Sequence, residues 1–309
     1  MLTLHGYRIP KTDISNLIDL KGRLTVRPYI PKVFVDPRFV PRYPVYKESE
    51  NYIYVPKHYG IQEFGPYGSS TRDVPQTPET YWNFAGSLRP TQECVVNSFL
   101  KPEPRDGILS LQTGGGKTVC ALYIASQLRL PTIVLVHSTF LRDQWIERAK
   151  QYLPKARLGI WNDDATLDTI IGDFTIRYDA DTIKYKSDTT PNFKLIKNLK
   201  ENEVERLAGF MGVEKSSNAI IQHIPTFTSQ RDITIGMLQG IMRDDVKPNS
   251  FKDIGLVIVD ECHHIASEAF SQAVPKLTSK YMLGLSATPE RKDKLMYVIN
   301  WFIGPILYQ

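Results

Sequence analysis

Leu111-Gln112-Thr113-Gly114-Gly115-Gly116-Lys117-Thr118 is the stretch on which the reading of this chain turns. An apolar run, Gly107-Ile108-Leu109-Ser110-Leu111, leads into it, and a helical pattern over residues 119–128 follows. Strand, glycine-rich loop and helix in that order are the setting for phosphate binding. Glycines let the backbone curl until successive N–H groups point at one phosphate, and the helix N-terminus adds its partial positive charge. Lys117 is placed to reach the β- and γ-phosphates, and the hydroxyl of Thr118 to hold Mg²⁺. The generic pattern G-x-x-x-x-G-K-[ST] is not fully met, because Leu111 stands where its first glycine belongs. The competing reading is a glycine turn with an exposed lysine. Taken alone, the loop specifies a nucleoside triphosphate and nothing finer.

Working outward, further apolar runs suit buried parallel strands: Thr132-Ile133-Val134-Leu135-Val136, Asp232-Ile233-Thr234-Ile235, Leu256-Val257-Ile258-Val259 and Tyr281-Met282-Leu283-Gly284-Leu285. Helical patterns lie between them, as over residues 140–153, where Leu141, Trp145, Ala149 and Tyr152 share a face. The expected fold is α/β, a parallel sheet with helices on both faces. Residues 162–230 interrupt the rhythm with polar sequence and no comparable apolar run, and read as an insertion at the sheet's margin. Residues 1–84 differ again. They are rich in Pro and Tyr, with short runs such as Lys32-Val33-Phe34-Val35 and Tyr52-Ile53-Tyr54-Val55, and read as a small β-rich N-terminal module. Linker composition over residues 65–86 separates it from a nucleotide-binding domain, residues 85–309.

The run Leu256–Val259 ends in Asp260-Glu261-Cys262-His263-His264. Vicinal carboxylates at the C-terminal end of a parallel strand stand where ligands bind in open α/β sheets. Asp260 can hold Mg²⁺, and Glu261 can take a proton from the water attacking the γ-phosphate. The bland alternative is a solvated acidic loop. The paired histidines lack His-x-x-x-His spacing, and Cys94, Cys120 and Cys262 are too dispersed for a zinc or disulfide pattern.

The 309 residues are 42 % apolar and 23 % charged, with a net charge of +5, which is compatible with a polyanionic partner without requiring one. No apolar run approaches the ~18 residues that would span a bilayer. The N-terminus lacks a secretory layout, so the expectation is an intracellular, soluble protein with no membrane partner.

With the loop and the acids in hand, the chain resembles superfamily 2 helicases of the Asp-Glu-x-His class over roughly residues 86–309. Leu88-Arg89-Pro90-Thr91-Gln92 is similar to the motif whose glutamine reads the adenine edge. Val136-His137-Ser138-Thr139 with Gln144-Trp145, and Asp232-Ile233-Thr234-Ile235-Gly236-Met237-Leu238-Gln239, resemble motifs Ia and Ib. Leu283-Gly284-Leu285-Ser286-Ala287-Thr288-Pro289 looks like motif III, which links ATP state to nucleic-acid grip. Six pieces in order are hard to obtain by accident, and this family tolerates the missing first glycine. The flavour is that of double-strand DNA translocases, repair and transcription helicases, and those of large DNA viruses.

The resemblance implies a RecA-like lobe with ATP and Mg²⁺ as cofactors. Arg89, Gln92, Gln112, Thr113, Gly114, Gly115, Gly116, Lys117, Thr118 and Asp260 would hold the nucleotide, with Mg²⁺ between Thr118 and Asp260. Lys117, Glu261, His263, Ser286 and Thr288 would be catalytic, the last three as a polar relay. Ser138, Thr139, Gly236 and Gln239 would contact nucleic acid, DNA in preference to RNA. A second RecA-like lobe, carrying arginine fingers, is expected in a longer chain or in trans, since residue 309 falls about where the first lobe closes. The alternatives are a non-catalytic docking module derived from a helicase lobe and a phosphate-loop ATPase or kinase acting on a small molecule. The latter leaves motifs Ia, Ib and III unexplained.

Overall fold

The computed structural model describes residues 1–27, 40, 42–71, 74, 76–77, 79–179, 182–229, 231–263, 272–277, 279–288 and 294–309. The run at residues 32–35, His264 and residues 289–291 fall outside them.

The first residues form a four-stranded antiparallel sheet, β1 (Leu2–Thr3), β2 (Gly6–Pro10), β6 (Tyr52–Val55) and β5 (Lys47–Glu48) in spatial order. A two-stranded pair, β3 (Thr25–Val26) with β4 (Tyr43–Pro44), and helices α1 (Leu17–Arg23) and α2 (Lys57–Phe64) complete this small module.

The central sheet has eleven strands. Seven run parallel, in the spatial order β9 (Leu158–Trp161), β14 (Ile233–Met237), β8 (Thr132–Val136), β15 (Leu256–Val259), β16 (Tyr281–Ser286), β7 (Gly107–Ser110) and β17 (Ile306–Tyr308). The five apolar runs read from the sequence are five of these strands, and β9 and β17 are additions.

Alternation explains why the runs are apolar throughout, since successive side chains point to opposite faces and both are covered. Val134, Val136, Ile258, Leu283 and Leu285 face one core with α3 (Pro90–Leu100), α4 (Lys117–Leu128) and α5 (Thr139–Tyr152). Ile133, Leu135, Val257, Val259 and Met282 face the other, beneath the N-terminal module and the helix Met296–Ile303. A buried ion pair fastens the module there: Lys57 Nζ lies 2.7 Å from an Asp106 carboxylate oxygen, just before β7.

Residues 162–230 hold more strand than their polarity suggests. β10 (Leu167–Ile171), β11 (Phe174–Asp179), β12 (Thr182–Lys186) and β13 (Lys194–Leu195) extend the sheet antiparallel from β9. Helices α6 (Glu201–Met211) and α7 (Ser217–Ser229) pack on one face of this extension, in a separate core with Phe174, Ile176 and Tyr185. With one face covered, only alternate residues need be apolar, so no continuous run appears.

Candidate nucleotide-binding site

The glycine loop leaves the C-terminal end of β7, and the acidic pair leaves that of β15, with β16 between them. All three ends are tied together. Leu111 N donates to Ser286 O at 2.9 Å, Cys262 N to Leu285 O at 2.9 Å, and Asp260 N to Leu135 O at 3.0 Å.

The loop is a cradle that side chains would fill. Gly114 and Gly116 have φ of +83° and +88°, in the left-handed region that favours glycine. A Cβ on Gly116 would stand 2.2 Å from Gln92 Nε2, so that close approach also requires a bare backbone. Gly116 caps α4, whose first residues are Lys117 and Thr118. Arg89 Nη2 braces the loop by donating to Gly115 O at 3.1 Å, and Gln92 Oε1 accepts from Arg89 N at 2.9 Å.

Facing the cradle, Lys117 Nζ lies 3.1 Å from Glu261 Oε1. Asp260 is buried, its Oδ2 accepting from the Trp145 indole at 2.7 Å and its Oδ1 from Glu261 N at 3.0 Å. Burial pushes the Asp260 carboxyl above the usual carboxylate range, and the Glu261 charge adds to this; the Trp145 hydrogen bond pulls the other way. Glu261 has φ +45°, a left-handed backbone that a non-glycine residue holds only when its surroundings fix it.

Behind the acids, Ser286 Oγ donates to Thr288 O at 2.6 Å, which uses its single proton. The 2.9 Å contact between Ser286 Oγ and His263 Nδ1 therefore has the imidazole donating, with Nδ1 carrying the proton. Glu261 Oε2 is 3.5 Å from the same Nδ1, so the ring joins the acid turn to the end of β16. Thr288 enters this chain through its carbonyl; its side chain is exposed.

A cleft of ≈ 540 Å³ collects Arg89, Gln92, Gln112, Thr113, Gly114, Gly116, Lys117, Thr118, Asp260 and Glu261 on one lining. Gly115 joins them through its carbonyl. A concave site holding backbone N–H groups, one lysine and the oxygens of Thr118 and Asp260 suits a triphosphate with a hard, oxygen-seeking divalent cation.

Of the proposed nucleic-acid residues, Thr139 and Gln239 are exposed and Ser138 half-buried, all beyond the ends of β8 and β14. Gln239 Nε2 donates to His137 O at 3.4 Å, bringing the two motifs side by side. Gly236 is a correction. It lies buried within β14, where a Cβ would meet Ile133 and Ile241 at 3.1 Å, so it serves sheet packing instead of the surface.

Sequence reasoning missed the wall contributed by α5. Leu141, Gln144, Arg148 and Tyr152 line the cleft, and Trp145, read as an apolar face residue, places its N–H on Asp260. A tryptophan amid a polar helix was the available signal, since a buried indole N–H requires an acceptor.

A parallel-stranded lobe with this cradle opposite an Asp-Glu turn is built as the first, ATP-binding lobe of a superfamily 2 helicase. The chain belongs to the family described as type III restriction enzyme, res subunit, whose model matches residues 85–291. It is similar to protein L396 of Acanthamoeba polyphaga mimivirus, named as a presumed ATP-dependent RNA helicase, at 29 % identity over 99 % of this chain and 48 % of that protein. It is also similar to the DNA 3'-5' translocase XPB2 of Sulfurisphaera tokodaii, at 28 % identity over 72 % of this chain and 35 % of the relative. The crystal structure of the UvsW helicase from bacteriophage T4 shares the fold, with a TM-score of 0.53 and 13 % identity, covering 94 % of this chain and 92 % of that one. The chain spans about half the length of two viral relatives it matches, 48 % of L396 and 51 % of helicase 109L of invertebrate iridescent virus 3. Among the described residues no helix is long and apolar enough to cross a membrane.

Proposed function

We propose that this chain binds and hydrolyses ATP as one lobe of a motor that moves along or unwinds nucleic acid, DNA in preference to RNA. The observation that carries the reading is the convergence of Lys117, Asp260 and Glu261 on one glycine-lined cleft. The Lys117–Glu261 pair is a resting arrangement: an arriving γ-phosphate competes for the ammonium and releases the Glu261 carboxylate to orient and deprotonate water. Thr118 and Asp260 would hold Mg²⁺, which would supply charge neutralisation for the triphosphate. Gln92 would meet the adenine edge. His263, donating to Ser286, would pass the state of the acid turn to the surface holding Ser138, Thr139 and Gln239. Contacts there would fall mainly on phosphates and carry little sequence information.

The names of the relatives divide between RNA and DNA. The preference for DNA rests on Leu88-Arg89-Pro90, Gly236-Met237-Leu238-Gln239 and the motif at the end of β16. We place the arginine fingers on a second lobe, and such groups contribute about 10³–10⁵ in rate. The chain by itself is then expected to bind ATP and turn it over slowly. ATP hydrolysis is measured on the chain alone, with duplex DNA and with RNA, and again with a second lobe added. Brisk, polynucleotide-stimulated hydrolysis by the chain alone would refute the need for a second lobe. A Glu261→Gln protein that retained wild-type turnover would refute the catalytic assignment.

A further inference from the structure

A second cleft, of ≈ 460 Å³, opens on the sheet face turned away from α3, α4 and α5. Pro131, Arg231 and Ile254 on its lining precede β8, β14 and β15, so it sits at the opposite end of the parallel strands from the glycine loop. Its size is that of small-molecule sites, which span about 300–1,000 Å³.

Arg231 is the unusual feature. Its Nε and Nη2 both donate to one neutral oxygen, Thr169 Oγ1, at 3.1 and 2.9 Å. The neighbouring carboxylates are already taken: Asp232 pairs with Arg157 at 2.7 Å and Asp168 with Arg177 at 2.7 Å. Among the described residues no carboxylate forms an ion pair with Arg231, and Asp253, on the cleft's lining, is exposed. Burial pushes the guanidinium down to about 10, and the Asp168 charge, itself paired with Arg177, offsets only part of this. The fold nevertheless makes room for it. A Cβ on Gly159 of β9 would stand 2.4 Å from Arg231 Cδ and 3.3 Å from Thr234 Oγ1. Arg157 has its charge met by Asp232 and lies 4.2 Å from the Tyr81 ring centre, so it shapes the wall.

The remainder of the lining sets aromatic and aliphatic side chains beside the polar groups of Gln76, Thr77, Thr234 and Ser250. Trp161 and Phe251 meet with ring centres 4.9 Å apart, beside Ile133 and Leu167, with the Ser250 and Thr234 hydroxyls nearby. Trp161 Nε1 is sealed from solvent without a hydrogen-bond partner among the described residues.

We propose that this cleft binds a small organic anion: a planar apolar ring against Trp161 and Phe251, bearing a phosphate or carboxylate that receives the Arg231 N–H groups Thr169 does not use. An aromatic wall with one planar, multi-donor cation is the arrangement that recognises such a molecule.

The chain has four tryptophans, so a ¹⁵N-indole spectrum has four signals, assigned by substitution. Trp161 reports on this cleft, and Trp145, bonded to Asp260, on the nucleotide site. Titration with phenyl phosphate or benzoate is expected to move the Trp161 signal and leave that of Trp145 in place, with phenol far weaker. Arg231→Met is expected to weaken binding by about tenfold or more, the loss of one charge-assisted contact. An unmoved Trp161 signal, an equal response to phenol, or undiminished affinity in Arg231→Met would overturn the proposal. So would a response to oligonucleotides alone, which would assign the cleft to nucleic-acid backbone. Should Arg231→Met lose the folded Trp145 signal, the wild-type comparison of phenyl phosphate with phenol decides by itself.

Discussion

Replacing Asp106 by Asn tests how the N-terminal module is held to the sheet. The Asp106 side chain is 3 % exposed and accepts from Lys57 at 2.7 Å, from His58 Nε2 at 3.0 Å and from Met282 N at 2.9 Å. Burial by itself would push its carboxyl up. The Lys57 charge and the hydrogen bonds from His58 and Lys57 outweigh that and hold it below the ordinary value. Asparagine keeps the shape and an acceptor for Met282 N–H, but leaves the Lys57 ammonium, 8 % exposed, with the Lys280 carbonyl at 3.0 Å as its remaining acceptor among the described residues. Breaking a buried pair from one side costs about 3–5 kcal/mol, a large share of the roughly 5–15 kcal/mol that stabilises a domain.

The pH dependence has a definite sign. A carboxyl with a lowered folded pKa contributes stability that is present above its unfolded value, about 3.9, and lost as pH falls through the folded one. Urea unfolding followed by tryptophan fluorescence should therefore show the full deficit at pH 7, shrinking once the pH drops below that unfolded value. Lys57→Met added to Asp106→Asn removes the stranded charge and should recover part of the loss. A deficit under about 1 kcal/mol at pH 7, or a double variant no more stable than the single one, would refute the reasoning.

Three further outcomes follow from the site. Trp145→Phe removes the 2.7 Å bond to Asp260; a hydrogen bond to a charged group is worth about 1.5–3 kcal/mol, so ATP turnover should fall roughly 10–150-fold with KM little altered. An unchanged kcat would show that the indole does not position Asp260. Gly116→Ala forces a Cβ to within 2.2 Å of Gln92 Nε2 at φ +88° and should abolish ATP binding in calorimetry, while a protein with wild-type affinity would contradict the cradle. Thr139→Glu puts a negative charge on the exposed first residue of α5, where the helix N-terminus tolerates it. Stimulation of turnover by polynucleotide should be lost with basal turnover intact, and full stimulation would move the nucleic-acid path elsewhere.

Local grammar carries furthest where function depends on consecutive residues. The glycine loop, the Asp260-Glu261 pair and the five apolar strands were legible because each is a short run whose backbone geometry or burial its own composition dictates. The strands in residues 167–195 were not, because a sheet with one covered face asks only for alternate apolar residues, and charges such as Arg177 and Lys184 occupy the rest. Gly236 misled for a related reason: a glycine after Asp232-Ile233-Thr234-Ile235 fits a surface turn or a crowded strand equally well, and only the packing of Ile133 and Ile241 distinguishes them.

The sequence alone thus determined the α/β class and singled out the glycine loop and the acidic pair, since a glycine-lined turn and a fully buried strand are each written in a few adjacent residues. Tertiary structure decided which distant groups meet: Trp145 with Asp260, 115 positions apart, Lys57 with Asp106, and Arg231 with no carboxylate as an ion-pair partner among the described residues. Those pairings depend on the order in which strands assemble, and charge balance inside a fold is settled only when the neighbours of each buried group are in place.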